Sequence, residues 1–380
     1  MSESDSLAQE DGGAPLRLAF LTELYYPNVG GQEVFFQELA EAMVRRGHSV
    51  DVYCIGHEAG LPDHEAINGV HVHRKPNSGR YMNPIVPALR RAWSTILVYS
   101  AAVRRASSRH AYDFYLLNQW PLVHVTALRR QARARSGIHW CEIRHDPIMT
   151  TLQRLLPRMV RANFAVSAAV AAAIEEQSGQ HPVVVLPSGI QLDRYRRAPR
   201  EERDGVLFIG RIAAHKNLPL LIDAFAIAVA RGLTGDLKIA GDGPARGEIE
   251  EYARHSTVPD RVHVLGAVSE EQKVELLATA AIFGMPSRRE GFPRVVTEAM
   301  ASGLPVVTAR FPENGAQSVV AQYGAGVISG TEPAEFAEAL LAAQEKWDIF
   351  SAAGLVGAQE LDWSGIALTF EKRVREINGL

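Results

Sequence analysis

The chain has 380 residues, 47% hydrophobic and 22% charged, with 40 Lys and Arg against 43 Asp and Glu and a formal net charge of −3. This is the make-up of an ordinary globular protein, long enough for two domains that each bury a core. The near-neutral balance argues against a dedicated nucleic-acid binder, and two cysteines, Cys54 and Cys141, exclude a disulfide framework and a Cys-based zinc site.

Residues 1–15 are acidic and polar and read as a disordered tail, not a signal peptide. Residues 16–22, LRLAFLT, suit a strand buried on both faces. The turn-rich YYPNVGGQE follows, then a helical pattern over Val34–Arg46 that Gly47 stops, then a strand over Ser49–Ile55. Strand, glycine loop, helix and strand make a βαβ unit, which implies a parallel sheet with helices on its faces. Further strands are predicted at Val70–Arg74, Phe114–Leu117, Ile138–Arg144, Phe164–Val166 and Val183–Leu186. A helical stretch over Pro84–Ser107 breaks near Pro87. The charged, Pro-containing segment between Gln191 and Asp204 reads as a linker. The alternation then restarts. Strands at Val206–Ile209, Leu237–Ala240, Val262–Leu265, Ala281–Met285 and Pro305–Thr308 alternate with helices at Pro219–Arg231, Glu248–His255, Glu270–Ala280 and Arg294–Ser302. Helices over 333–347 and Gly365–Ile377 close the chain. The fold class is therefore α/β, with two Rossmann-like, doubly wound domains, 16–198 and 199–363, facing across a cleft. Ligands bind such sheets at the carboxyl ends of the strands, which favours a nucleotide-like ligand.

The most informative segment is SRREGFPRVVTEAMASG, residues 287–303. Glu290 lies on the loop before a helix and Glu298 lies eight positions later, inside it. Gly291 lets backbone amides approach a ligand, and the helix N-terminus offers unpaired N–H groups to a pyrophosphate. Carboxylates accept hydrogen bonds from vicinal diols. As ordinary surface groups, the same two residues would only complement a helix dipole or face water. Arg211 and Lys216, in FIGRIAAHKN, follow a buried strand at its carboxyl end, where two cations suit a phosphate; capping the next helix is the plainer role. Gly30 and Gly31 in PNVGGQE form either a plain turn or a loop approaching a phosphate. Gly243, in Gly241-Asp242-Gly243-Pro244, is a turn residue first and a ribose or base neighbour second. His145 follows a predicted strand and is either structural or a contact for a sugar hydroxyl. No Asp-x-Asp, HExxH or clustered His/Cys spacing is present, so no metal is expected and the cations must meet the diphosphate charge. Arg90, Arg91, Arg104, Arg105 and Arg109 flank an apolar helix and Arg129, Arg130, Arg133 and Arg135 follow. They either solvate a helix face or meet an anionic membrane.

Together, PNVGGQE, VSAAV, LPSGIQLDRY, FIGRIAAHKN, IAGDGP, HVLGAVSEEQ and above all REGFPRVVTEAMASGLPVV resemble the retaining glycosyltransferases of family 4, which have the GT-B architecture. The resemblance runs in order from about residue 16 to residue 320. It implies transfer of a sugar from a nucleotide-diphosphate sugar to an acceptor hydroxyl, with retention and without metal or other cofactor. It implies that Glu290 contacts the donor sugar, that the Gly291, Phe292 and Pro293 backbone lines that site, and that Glu298 binds the ribose. Arg211 and Lys216 would neutralise the leaving diphosphate, approached from the other domain by Gly30 and Gly31. His145 would sit by donor sugar and acceptor, and a terminal helix over 364–380 would return to the first domain. Ser188-Gly189-Ile190-Gln191 stands where the family usually has Asn-Gly-Ile-Asp, and Asn118-Gln119-Trp120 matches loosely. A nucleotide-sugar epimerase and a non-catalytic nucleotide-sugar binder are the alternatives; a dinucleotide dehydrogenase needs GxGxxG, which the PNVGG loop does not supply. The expected location is the cytoplasm, with a peripheral contact to the inner face of the membrane left open. Donor base, acceptor and oligomeric state are not legible.

Overall fold

The computed structural model describes residues 13–28, 30–77, 81, 93–144 and 146–380. Its contacts divide the chain into two units, Met1–Gly189 with Trp363–Leu380, and Ile190–Asp362.

The first unit begins with β1 (Arg17–Leu21), α1 (Gly31–Arg45), β2 (Ser49–Gly56), β3 (His64–Ile67), β4 (Val70–Asn77) and α2 (Trp93–Arg109). It continues with β5 (Phe114–Asn118), α3 (Val123–Ala127), α4 (Arg130–Arg133), β6 (Ser136–Trp140), α5 (Pro147–Leu155), β7 (Ala162–Ala165), α6 (Ala168–Ser178) and β8 (Val183–Val185). The sheet order is β3-β4-β2-β1-β5-β6-β7-β8. Every pairing is parallel except β3 with β4. β5 and β6 are buried throughout, as strands covered by helices on both faces should be. β3 was not expected from the sequence. It is an edge strand with no fully buried residue, so it lacks the apolar signal that marks the others. β6 ends at Trp140, so 141–144 leave the sheet earlier than their composition suggests.

The second unit holds β9 (Asp204–Ile209), α7 (Leu218–Ala230), β10 (Leu237–Ala240), α8 (Arg246–Arg254), β11 (Val262–Gly266), α9 (Glu270–Thr279) and β12 (Ala280–Met285). It continues with β13 (Arg289–Glu290), α10 (Arg294–Ala301), β14 (Val306–Ala309), β15 (Glu313–Asn314), α11 (Gly315–Tyr323), β16 (Gly326–Ser329), α12 (Pro333–Glu345) and α13 (Trp347–Glu360). The main sheet is parallel in the order β11-β10-β9-β12-β14-β16, and β13 and β15 form a separate short pair. α9 starts on a capping box, in which Ser269 accepts from Gln272 N and Gln272 accepts from Ser269 N. α7 buries seven residues and carries Pro219 in its first turn, where the missing N–H costs nothing.

The segment between Gln191 and Asp204 is not a free linker. It carries two short 3-10 turns, Leu192–Arg194 and Arg200–Glu202. Ile190 N donates to Leu361 O (2.9 Å), and the Arg203 guanidinium donates to Ala280 O (3.1 Å) and Ser302 O (2.6 Å). These bonds tie it to the second unit. The boundary therefore falls at Gly189/Ile190 instead of 198/199, and of the charges that suggest a linker Arg203 is held by backbone carbonyls while Arg196 and Arg200 pair with Glu275 and Asp348.

The last helix, α14 (Trp363–Asn378), belongs to the first unit. Phe370 is fully buried and meets Phe20, Phe114 and Phe164 with ring centroids 5.5–5.9 Å apart. Trp363 donates to Glu38 Oε2 (2.9 Å). Glu371, 4% exposed, receives Arg46 Nε (2.7 Å) and Arg375 Nε (2.8 Å), with His48 Nε2 at 3.1 Å.

Candidate functional site

The second sheet reverses its strand order between β9 and β12. Loops leaving the carboxyl ends of strands diverge at such a point, and ligands enter there. Arg211 and Lys216 follow β9, and Glu290 follows β12, so three of the expected site residues come from the two strands that flank the reversal.

The loop after β9 is set by backbone hydrogen bonds. Gly210 N donates to Ala240 O (3.0 Å) and Ile212 N to Asp242 O (2.9 Å), joining it to the loop after β10. Gly241, with φ +138°, lies against the Gly210 carbonyl, and no side chain fits there. Gly243 belongs to the same junction, packed against Ile212 O. The chain then makes a 3-10 turn over Ala214–Lys216, and Asn217 takes a left-handed conformation (φ 54°) before α7. The loop after β12 docks on this turn: Arg288 N donates to His215 O (2.8 Å), and Arg288 Nη2 donates to Asn217 Oδ1 (3.2 Å).

This docking brings Lys216 and Glu290 together. Lys216 Nζ pairs with Glu290 Oε1, the two side chains being 12% and 13% exposed. Glu290 is fixed from behind as well, since β13 pairs with β15 through Glu290 and Asn314. Gly315 lies against this pair. A Cβ there would stand 2.9 Å from Glu290 O and closer still to Gly291 O. Arg211 is exposed and has no ion-pair partner among the described residues. His215 lies among these charges. Burial, followed by Lys216, lowers it below its ordinary imidazole value, while Glu290 opposes.

Gly291 is exposed, Phe292 is half-buried against the core, and Pro293 is the N-cap residue of α10 with no side-chain cap bond. The first N–H groups of α10 therefore start beside Glu290 without a capping side chain. Glu298 lies inside this helix, 6% exposed, with Lys273 Nζ 3.3 Å from Oε1.

The remaining candidates stand apart from this cluster. Gly30 and Gly31 belong to the first unit, as N-cap and first residue of α1. A Cβ at Gly30 would strike the Glu33 carboxylate, whereas nothing lies within 4 Å of one at Gly31. His145 lies outside the described residues, as do Arg90 and Arg91. His215, Arg288 and Lys273 are not among the residues expected from the sequence. His215 and Arg288 lie inside the segments FIGRIAAHKN and SRREGFPRVVTEAMASG, while Lys273 carries no local signal because its partner Glu298 is distant in the chain.

A carboxylate paired with an ammonium beside an exposed guanidinium, at a switch point and before an uncapped helix, can hold a diphosphate and a hydroxylated ring side by side. Comparison with known proteins agrees. Residues 190–349 match the model for glycosyl transferases group 1, and residues 29–194 match the model for glycosyltransferase family 4. The GDP-mannose:cellobiosyl-diphosphopolyprenol alpha-mannosyltransferase of Komagataeibacter xylinus is 24% identical over 98% of this chain and 96% of its own. The D-inositol 3-phosphate glycosyltransferase of Geodermatophilus obscurus is 27% identical over 88% of this chain and 82% of its own. The solved structure of Anabaena HepE in complex with UDP shares the GT-B fold, with a TM-score of 0.72 at 20% identity over 95% of this chain and 100% of that one. The two family models meet along the chain and between them span residues 29–349, and the chain belongs to the family 4 glycosyltransferases.

Proposed function

We propose that this glycosyltransferase moves a sugar from a nucleoside diphosphate sugar to an acceptor hydroxyl, with retention at the anomeric carbon and without a metal ion. The observation that carries the reading is the Lys216–Glu290 pair at the β9/β12 switch point. The bond between the anomeric carbon and the diphosphate oxygen breaks, leaving an oxocarbenium-like centre. Arg211 and Lys216 stabilise the departing diphosphate where its charge develops. Glu290 accepts from hydroxyls of the donor sugar, beside the backbone of Gly291, Phe292 and Pro293. Glu298 accepts from the ribose. The acceptor oxygen bonds to the anomeric carbon on the face the diphosphate leaves, and its proton passes to the departing phosphate oxygen. By the family resemblance, Gly243 is assigned to the nucleotide, Gly30 and Gly31 to the diphosphate, and His145 to the donor sugar and acceptor. The relatives' printed names include a GDP-mannose donor and a UDP complex, which support a nucleotide-sugar donor without selecting its base.

A peripheral membrane contact is part of this reading. Among the described residues no helix is long and apolar enough to cross a membrane. The exposed face of α2 nevertheless carries Leu97 (62% exposed) and Val98 (53%), with exposed Arg104, Arg105 and Arg109 and no acidic residue in the helix. Apolar contact flanked by arginine suits an anionic bilayer.

The test is transfer from UDP-, GDP- and ADP-sugars to an acceptor panel, with and without EDTA, with the product anomer assigned by NMR. Retention, insensitivity to EDTA, and a loss of at least about 100-fold in kcat for Glu290→Gln are expected. Inversion, a metal requirement, or full activity of Glu290→Gln overturns the corresponding part. Cosedimentation with phosphatidylglycerol vesicles, reduced in Leu97→Ser/Val98→Ser, tests the membrane contact; equal sedimentation of that variant overturns it.

A further inference from the structure

α9 turns Leu277 and Ala278 inward, with Leu276 packed against the core, and half-buried Lys273 lies one turn before Leu277. A core-facing position on an amphipathic helix ordinarily carries an apolar side chain. Here it carries an ammonium group, only 14% exposed. Lysine is rarely held so far from water unless its charge is used. Its Nζ reaches two carboxylates, Glu298 Oε1 at 3.3 Å and Glu270 Oε2 at 2.8 Å. Half-buried Tyr195 lies within the field of the same carboxylate, and burial, then Glu298, hold its phenol far above its ordinary value. The Lys273 ammonium takes one of about four lone-pair directions of the Glu298 carboxylate and leaves the others for a diol.

We propose that Lys273 is a positioning residue for nucleoside recognition, orienting Glu298 toward the two ribose hydroxyls. This rests on the assignment of Glu298 to the ribose. A ribose ligand contacts the enzyme alike before and during transfer, so Lys273 sets affinity and ribose selectivity and leaves the chemical step alone.

Isothermal titration of the full chain with UDP, GDP and ADP, and with the 2′,3′-dideoxy form of whichever binds tightest, tests this. Wild type should prefer the ribonucleotide, and Glu298→Gln should abolish the preference. Lys273→Met should lower ribonucleotide affinity about tenfold and leave the dideoxy form unchanged. Lys273→Arg should restore most of the loss. An intact preference in Lys273→Met, or equal losses for both nucleotides, overturns the inference while leaving the ribose assignment standing. No preference in wild type, or its survival in Glu298→Gln, overturns the ribose assignment and the inference with it.

Discussion

Replacing Glu371 by Gln should loosen α14 from the first unit at neutral pH and matter far less in acid. Burial alone pushes this carboxyl up, but His48, Arg375 and Arg46 together overcome it and hold it at about 2, against an ordinary 4.5. The sign follows from a depressed folded-state value. The stabilisation is fully present above 4.5 and is lost as pH falls from there through about 2. At about 1.4 kcal/mol per pH unit the shift corresponds to about 3.5 kcal/mol, and screening of the partly exposed Arg46 lowers this to about 2. Hydrogen exchange of peptides from 363–378 reads the opening of α14 directly. At pH 7, Glu371→Gln should exchange about 30-fold faster than wild type, which is 2 kcal/mol expressed as a rate. At pH 3 the two chains should differ by less than half as much in free energy. Equal protection at pH 7, or a difference that persists undiminished at pH 3, would refute the argument that ionised Glu371 anchors this helix.

Gly315→Ala should damage the site without unfolding the unit. The added Cβ meets the carbonyls of Glu290 and Gly291, so the β13–β15 pair must shift by more than a few tenths of an ångström. We expect about tenfold weaker nucleotide-sugar binding with a stability cost of about 1–3 kcal/mol, read by titration and urea denaturation. Unchanged affinity would show that Glu290 is not held by this pair. Phe370→Ala removes a fully buried ring that three other phenylalanines touch. It should cost about 3–5 kcal/mol, seen as an earlier urea transition of the first unit; a cost under about 1 kcal/mol would mean that α14 is not part of that core.

The legible parts of the fold are those where burial imposes a pattern. β10 and α9 stand out because a buried apolar run or a Ser-x-x-Gln cap marks each one. α11, β16 and α13 do not. β16 is four residues of GVIS with only Ser329 buried, and α13 carries Gly354 and Gly357, which read as helix breakers. The structure explains the second glycine. A Cβ at Gly357 would stand 2.5 Å from Tyr323 Cγ, so its absence is what lets α13 approach α11. The segment after Gly189 misled for the opposite reason. Its charges and proline imitate a solvated linker, yet Arg203 is 8% exposed and spends its donors on carbonyls.

At the site, the residue types and their places at strand ends were legible, but their pairings were not. Glu290 and Glu298 share one short segment, and each is met by a lysine from elsewhere: Lys216 from the loop after β9 and Lys273 from α9. The two lysines stand on different supports. Lys273 projects from a capped helix onto two carboxylates, an arrangement that fixes it. Lys216 ends a single 3-10 turn, next to a left-handed Asn217, and the only acid it pairs with among the described residues is Glu290. A long, flexible ammonium with one carboxylate partner can change partner at little cost when a diphosphate, which carries more charge, arrives. On the proposed function, that exchange is the useful step. As Lys216 turns to the phosphate, the Glu290 carboxylate is released to accept from the sugar, so binding the leaving group prepares the residue that holds the group being transferred.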